Sequence, residues 1–230
     1  MLFPTITFAV FFLLVYVANW LLMPRFRLWK WFIIAVSYLF YGWWDWRFVL
    51  LLAAATFVNQ ALGLQIARAR ARRAGAPAAK RWLTLSVVAN LAALGYFKYM
   101  DFFAVNLDHL LGSLGLGAPL PLLRILLPVG ISFLVFRVLT YTIDIYRGEL
   151  APASTIDFGV YVAFFPYLLA GPIARAREFL PQLSSPRDPR SVDAGRAFTL
   201  LLGGLAKKLL IADYLSTHIV NGVFASPQSY

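Results

Sequence analysis

The side chains able to do chemistry are few, and most sit in apolar surroundings. The 230 residues include two histidines, His109 and His218, and no cysteine. Without cysteine there are no thiolate nucleophiles, thiolate zinc sites, disulfides or S-palmitoylation. Two isolated histidines do not make a metal site, so no metal is expected. His109 lies beside Asp108 on the polar face of an amphipathic stretch, and His218 follows an apolar one. Either could serve as a base, and either also reads as an ordinary polar group near a helix end. Gly130-Ile131-Ser132-Phe133-Leu134 holds half of a nucleophile elbow. The second glycine and the preceding strand are missing, which rejects a serine hydrolase. Gly112 to Gly117 lacks the Lys-Ser/Thr of a phosphate loop.

Charges inside apolar segments carry more information. Arg137 and Asp144 are seven residues apart and fall on one helical face, with Arg147 three beyond Asp144. Charge at membrane depth is costly, so it pairs or lines a polar path. Both readings stay open here: a structural ion pair, or the lining of a cavity. Lys207 and Lys208 divide the last apolar segment, with Asp213 a little further on. The two lysines either snorkel to a membrane face or meet an anionic group of a donor.

The elements that must position these groups follow from composition. Of all residues 61% are apolar and 13% charged, against about 25% charged in soluble domains. The apolar residues run in long blocks and do not alternate. This excludes an ordinary soluble globule, a disordered chain and a β-barrel, and predicts an all-α, polytopic helical membrane protein. The 21 Lys and Arg outnumber the 10 Asp and Glu, giving net charge +11. They cluster in short loops between apolar blocks, which argues for membrane topology and against nucleic acid.

About four spanning helices are expected in residues 1–97. The loops at 25–30 and 68–81 are basic and that at 45–47 is neutral, so the first two are expected in the cytoplasm and the N-terminus outside. An interfacial helix is expected at 98–116. Segments 125–147 and 156–174 are apolar but broken, the first at Pro128 and Gly130, the second at Pro166 and Gly171-Pro172. Broken or re-entrant helices are tolerated in a membrane where the freed backbone is buried in protein. The polar residues 175–196 read as a cytoplasmic loop and 197–224 as a last segment, all within one membrane domain.

Four ordered sequences carry a resemblance. Leu127-Pro128-Val129-Gly130-Ile131-Ser132-Phe133 with Tyr141-Thr142-Ile143-Asp144-Ile145-Tyr146-Arg147 is the first, and Phe164-Phe165-Pro166-Tyr167-Leu168-Leu169-Ala170-Gly171-Pro172-Ile173 the second. Gly204-Leu205-Ala206-Lys207-Lys208-Leu209-Leu210-Ile211-Ala212-Asp213 is the third, and Ser37-Tyr38-Leu39-Phe40-Tyr41-Gly42 the fourth. Together they resemble the bacterial membrane-bound O-acyltransferases (MBOAT), nearest to the branch acting in alginate O-acetylation. Arg137 and Tyr167 depart from the pattern, standing where the family often has Gln.

The resemblance implies the N-terminal part of an MBOAT fold in a multi-pass protein of the bacterial inner membrane. It implies acyl transfer from a cytoplasmic thioester, acetyl-CoA or an acyl carrier, to an exopolysaccharide such as alginate, with no bound cofactor. The family's catalytic His is expected beyond Tyr230, so no catalytic residue is expected within the chain. The residues implied to line the tunnel or donor path are Pro128, Gly130, Ser132, Asp144, Arg147, Gly171, Pro172, Lys207, Lys208 and Asp213. Implied partners are membrane lipid, a periplasmic SGNH-type acetyltransferase and polysaccharide machinery. Half of a transporter or flippase, or a noncatalytic membrane scaffold subunit, are the alternatives.

Overall fold

A computed structural model describes residues 5–72, 75–114, 126–169 and 171–225. Among them the structure is all helix and connecting turns, with no strand. The chain forms two compact units, Met1–Pro186 and Arg187–Tyr230, where one domain was expected. The join falls in the polar stretch around Arg187, Asp188 and Arg190, which has no apolar face to bury.

In the first unit, α1 (Ile6–Leu22) is an uncharged helix whose first turn is capped by Thr5, its Oγ1 accepting the Phe8 N–H at 3.2 Å. Helix α2 (Phe26–Gly42) buries Trp29, Ile33, Ser37, Phe40 and Tyr41, a stripe at helical spacing. Helix α3 (Arg47–Ala71) starts at a turn where Asp45 Oδ1 accepts the Arg47 N–H at 2.9 Å. Helix α4 (Gly75–Ser113) follows as one continuous run of 39 residues, about 58 Å long.

The separate interfacial helix expected from residue 98 is therefore not present as an element of its own. Lys98 and Asp101 are polar but do not break a helix, and no Pro follows Pro77 before Ser113. Arg47–Ala71 and Ala76–Ser113 are long and apolar enough to cross a membrane, and Ile6–Leu22 is a shorter apolar helix.

Helix α5 (Ile131–Arg147) is the centre of the unit, burying Ile131, Leu134, Val135, Arg137, Val138, Tyr141, Thr142, Asp144 and Ile145 among its residues. The break expected within 125–147 precedes this helix and does not divide it. Its C-terminus closes in a Schellman turn: Gly148, at φ 83, donates to Ile145 O at 3.1 Å, and Glu149 donates to Asp144 O at 3.0 Å. Arg70 from the end of α3 adds Nη1 to the Ile145 carbonyl at 2.9 Å.

In the segment 156–174, where breaks are expected at Pro166 and Gly171-Pro172, the first bend falls at Phe164 and Pro166 lies inside the next short helix. Helix α6 (Thr155–Ala163) has nine residues and a length of only about 13 Å. A bend at Phe164 leads to α7 (Phe165–Leu168), and the chain then returns through Gly171, at φ 116, to α8 (Ala176–Phe179). Tyr161 OH meets the Ala174 carbonyl at 2.9 Å, so the return limb lies beside α6. Residues 155–175 thus enter and leave at the same end of the unit. Residues 176–183, expected as loop, form α8 and a 3-10 turn at Leu180–Leu183.

In the second unit, Asp193 caps α9 (Ala194–Ala206), its Oδ1 accepting the Arg196 N–H at 2.9 Å. No break occurs at Lys207. The helix instead widens to π-type turns at Lys207–Ala212 and, after α10 (Asp213–Leu215), at Ser216–Val220, before α11 (Asn221–Ala225). The wider turn brings Lys208 and Asp213, five residues apart, to one side, where they form an ion pair.

Candidate functional site

The implied lining residues fall at four places. Pro128, Gly130 and Ser132 lie at the entry to α5. Pro128 is buried, and its carbonyl accepts the Ile131 N–H at 3.2 Å. Gly130 is left-handed at φ 79, and a Cβ on it would stand 2.5 Å from the Leu168 carbonyl oxygen. The entry turn is thereby pressed against α7. Tyr41 OH donates to Val129 O at 3.1 Å and ties the same turn to α2. Ser132 is half-buried in the first turn of α5.

Arg137, one to two turns further, has its side chain enclosed, with the residue 1% exposed. Its Nη1 donates to the carbonyls of Val162 at 3.0 Å and Tyr161 at 3.4 Å, and its Nη2 donates to the carbonyl of Tyr167. The carbonyls of Tyr161 and Val162 lack helical partners because α6 stops at Ala163, and that of Tyr167 because α7 ends at Leu168. The guanidinium also lies over the Tyr161 ring, 5.9 Å from its centroid. The ion pair held open between Arg137 and Asp144 is not formed, because α6 and α7 offer the guanidinium unpaired carbonyls closer to hand.

Asp144 and Arg147 lie at the other end of α5, about 20 Å from Gly130. Asp144 is 7% exposed, and its Oδ2 has no hydrogen-bond partner. Its charged neighbours are Glu149, Arg177, Arg147 and Arg175. Arg177 is engaged with Glu149 at 2.8 Å, and Arg147 is exposed. A cavity of about 420 Å³ opens beside this end, lined by Ala67, Arg70, Ile145, Gly148, Leu150 and Pro152 among others.

Gly171 and Pro172 are exposed on the return limb. Lys207, Lys208 and Asp213 belong to the second unit, where Lys207 is exposed. His109 is exposed on α4. His218 is exposed and stacks on Tyr214 at 4.3 Å, with Nδ1 3.0 Å from the Tyr214 carbonyl. Among the described residues no group of three His, Asp or Glu could hold a metal ion.

Several buried polar residues went unremarked in the sequence. Asn59 and Asn90 exchange amide hydrogen bonds at 2.7 and 3.2 Å between α3 and α4, and Ser86 reaches Thr142 on α5 at 3.2 Å. Tyr141 OH donates to Gln60 Oε1 at 2.8 Å, while Gln60 Nε2 donates to Ala153 O at 2.8 Å. Ser37 Oγ accepts the Phe165 N–H at 3.2 Å. The signal available was the placing of Asn59 and Gln60 inside an uncharged apolar block.

Over 218 residues, 94% of its length, the chain is 39% identical to the probable alginate O-acetylase AlgI of Azotobacter vinelandii. It is 41% identical over 186 residues, 80% of its length, to the probable alginate O-acetylase AlgI of Pseudomonas aeruginosa. The chain is a homologue of the alginate O-acetylases. A peptidoglycan O-acetyltransferase of Helicobacter pylori is 29% identical over 214 residues. The chain spans 42%, 35% and 38% of the lengths of these three relatives. No family model and no solved structure matches the chain.

Proposed function

We propose that the chain is part of a membrane-bound O-acyltransferase of the inner membrane that acetylates an exopolysaccharide such as alginate. The likeness to the alginate O-acetylases, 39–41% over 80–94% of the chain, carries this reading. Three features support the membrane setting: two helices of spanning length, the exposed apolar side chains of α1, and a buried cation that serves backbone carbonyls.

The ends of the first unit support one orientation. Lys30 pairs with Asp157, Arg70 reaches Ile145 O, and Arg177 pairs with Glu149. The starts of α2 and α6, the ends of α3 and α5, and α8 therefore share one end. That end also carries Arg25, Arg27, Arg68, Arg72, Arg147 and Arg175, a basic excess that supports a cytoplasmic reading of it. A thioester donor, acetyl-CoA or an acyl carrier, would approach from there. The N-terminus and the turn at 43–46 then face outward, where polysaccharide machinery and an SGNH-type acetyltransferase would meet the protein.

In the transfer, an alcohol oxygen attacks the thioester carbonyl. The new C–O bond forms, the C–S bond breaks, and the alcohol proton passes through a base to the leaving thiolate. This chain supplies scaffold and lining to that step. Neither histidine is set to be the base, one lying on the surface of α4 and the other on Tyr214.

The test uses cells lacking their own enzyme, given either the protein from its native reading frame or residues 1–230 alone. Polymer O-acetyl content is measured in each. The native form is expected to restore acetylation and residues 1–230 alone to insert without restoring it. A native form that accumulates normally and acetylates no polymer would sink the reading and favour the transporter or scaffold alternative.

A further inference from the structure

We infer that Arg137 is the positioning residue of the re-entrant segment, setting where residues 155–175 lie and hence the geometry of the transfer step, without touching a substrate. The placement of the segment stands on the structure; its effect on transfer rests on the proposed function.

Helix α6 ends inside the packed unit, and the carbonyls of its last turn are left over. Buried carbonyls need donors, and lipid supplies none. One guanidinium serves three of them: Tyr161 and Val162 on α6, and Tyr167 on α7. Two short helices are thereby fastened to α5 by a single side chain. A planar fork of five N–H donors does this; a lysine ammonium of similar length presents a point charge. The carbonyl end of a helix also favours a cation through its dipole.

Among the described residues no carboxylate pairs with Arg137, and its Nε lacks a partner. A buried charge of this kind is a poor stabiliser beside an apolar residue. What it supplies is geometry. Tyr161 extends the tie: its ring lies against the guanidinium, and its OH is 3.1 Å from the Arg137 carbonyl and 2.9 Å from that of Ala174. The connected contacts run from α5 through α6 to the return limb that carries Gly171 and Pro172.

The experiment has two arms. The chain contains no cysteine, so Ala174→Cys reports the return limb by thiol labelling in membranes, with Ala76→Cys as a control outside the segment. Arg137→Gln, Arg137→Lys and Tyr161→Phe are each expected to raise labelling at position 174 at least tenfold and to leave position 76 unchanged. Lys is included because it keeps the charge and loses the fork. Unchanged labelling at 174 in Arg137→Gln overturns the proposal, whatever Tyr161→Phe does. Should Arg137→Gln fail to accumulate, Arg137→Lys decides this arm, and unchanged labelling at 174 in it overturns the proposal.

The second arm measures acyl transfer by the protein expressed from its native reading frame. Arg137→Gln is expected to lower kcat about a hundredfold, with KM for the thioester donor within about twofold. Normal kcat per folded molecule overturns the catalytic half. If the unsubstituted protein transfers no acyl group while position 174 still responds, the proposed function fails and the positioning role stands.

Discussion

Asp144 is a carboxylate within reach of three arginines that takes none as a hydrogen-bond partner. Arg177 is held by Glu149, and Arg147 points to the surface. Asp144→Asn keeps the shape and removes a buried charge. Breaking a true buried ion pair would cost about 3–5 kcal/mol. Here the change is expected to stay within about 1 kcal/mol, read as an unshifted thermal midpoint in detergent; a collapse of that midpoint would show that the carboxylate is paired. Gly130 behaves in the opposite way. It holds a left-handed φ of 79, and a Cβ would stand 2.5 Å from the Leu168 oxygen. Gly130→Ala is expected to destabilise by more than the roughly 1–2 kcal/mol of the backbone conformation alone, because α7 must also move. Equal stability of Gly130→Ala and the unsubstituted protein would refute that contact.

Among the elements, α4 makes the clearest statement. It runs unbroken through the point where Lys98 and Asp101 interrupt an apolar pattern. A proline placed at Tyr99 should therefore break a helix interior, at a cost of about 3 kcal/mol. A junction between two helices would tolerate it, and normal yield with an unshifted melting curve would argue for such a junction. The start of α4 reports orientation. A cysteine at Ala76 should react with an impermeant thiol reagent only after the cytoplasmic face is opened, since that end carries the basic excess. Reaction in intact cells would invert the topology.

For the whole molecule, the question is what surrounds it. Helix α1 exposes Ile6, Val10, Leu13, Leu14, Val17 and Leu21, an apolar face too large for water. The chain is expected to remain in the membrane pellet through alkaline washing and to leave it only with detergent. Release by the wash alone would contradict a membrane-embedded protein. The first unit owes its cohesion to α5, whose polar residues are met by α3, α4 and α6 in turn. In the second unit Asp193 caps α9, and Lys208 pairs with Asp213.

By itself the sequence determined that the chain is helical, apolar over long blocks, basic in particular loops and broken around Pro166 and Gly171. These are local or additive properties: helix breakers act on their own turn, and apolar length needs no partner to be counted. It also held the resemblance, because short motifs in order survive without knowledge of contacts. Only the tertiary structure decided what the buried charges do. Arg137 and Asp144 share a helical face in the sequence, and that spacing allows a pair. The carbonyls that capture Arg137 belong to residues 161, 162 and 167, more than twenty positions away. They are free only because α6 and α7 stop short, and a side chain chooses among partners by distance in space, which periodicity along one helix does not contain.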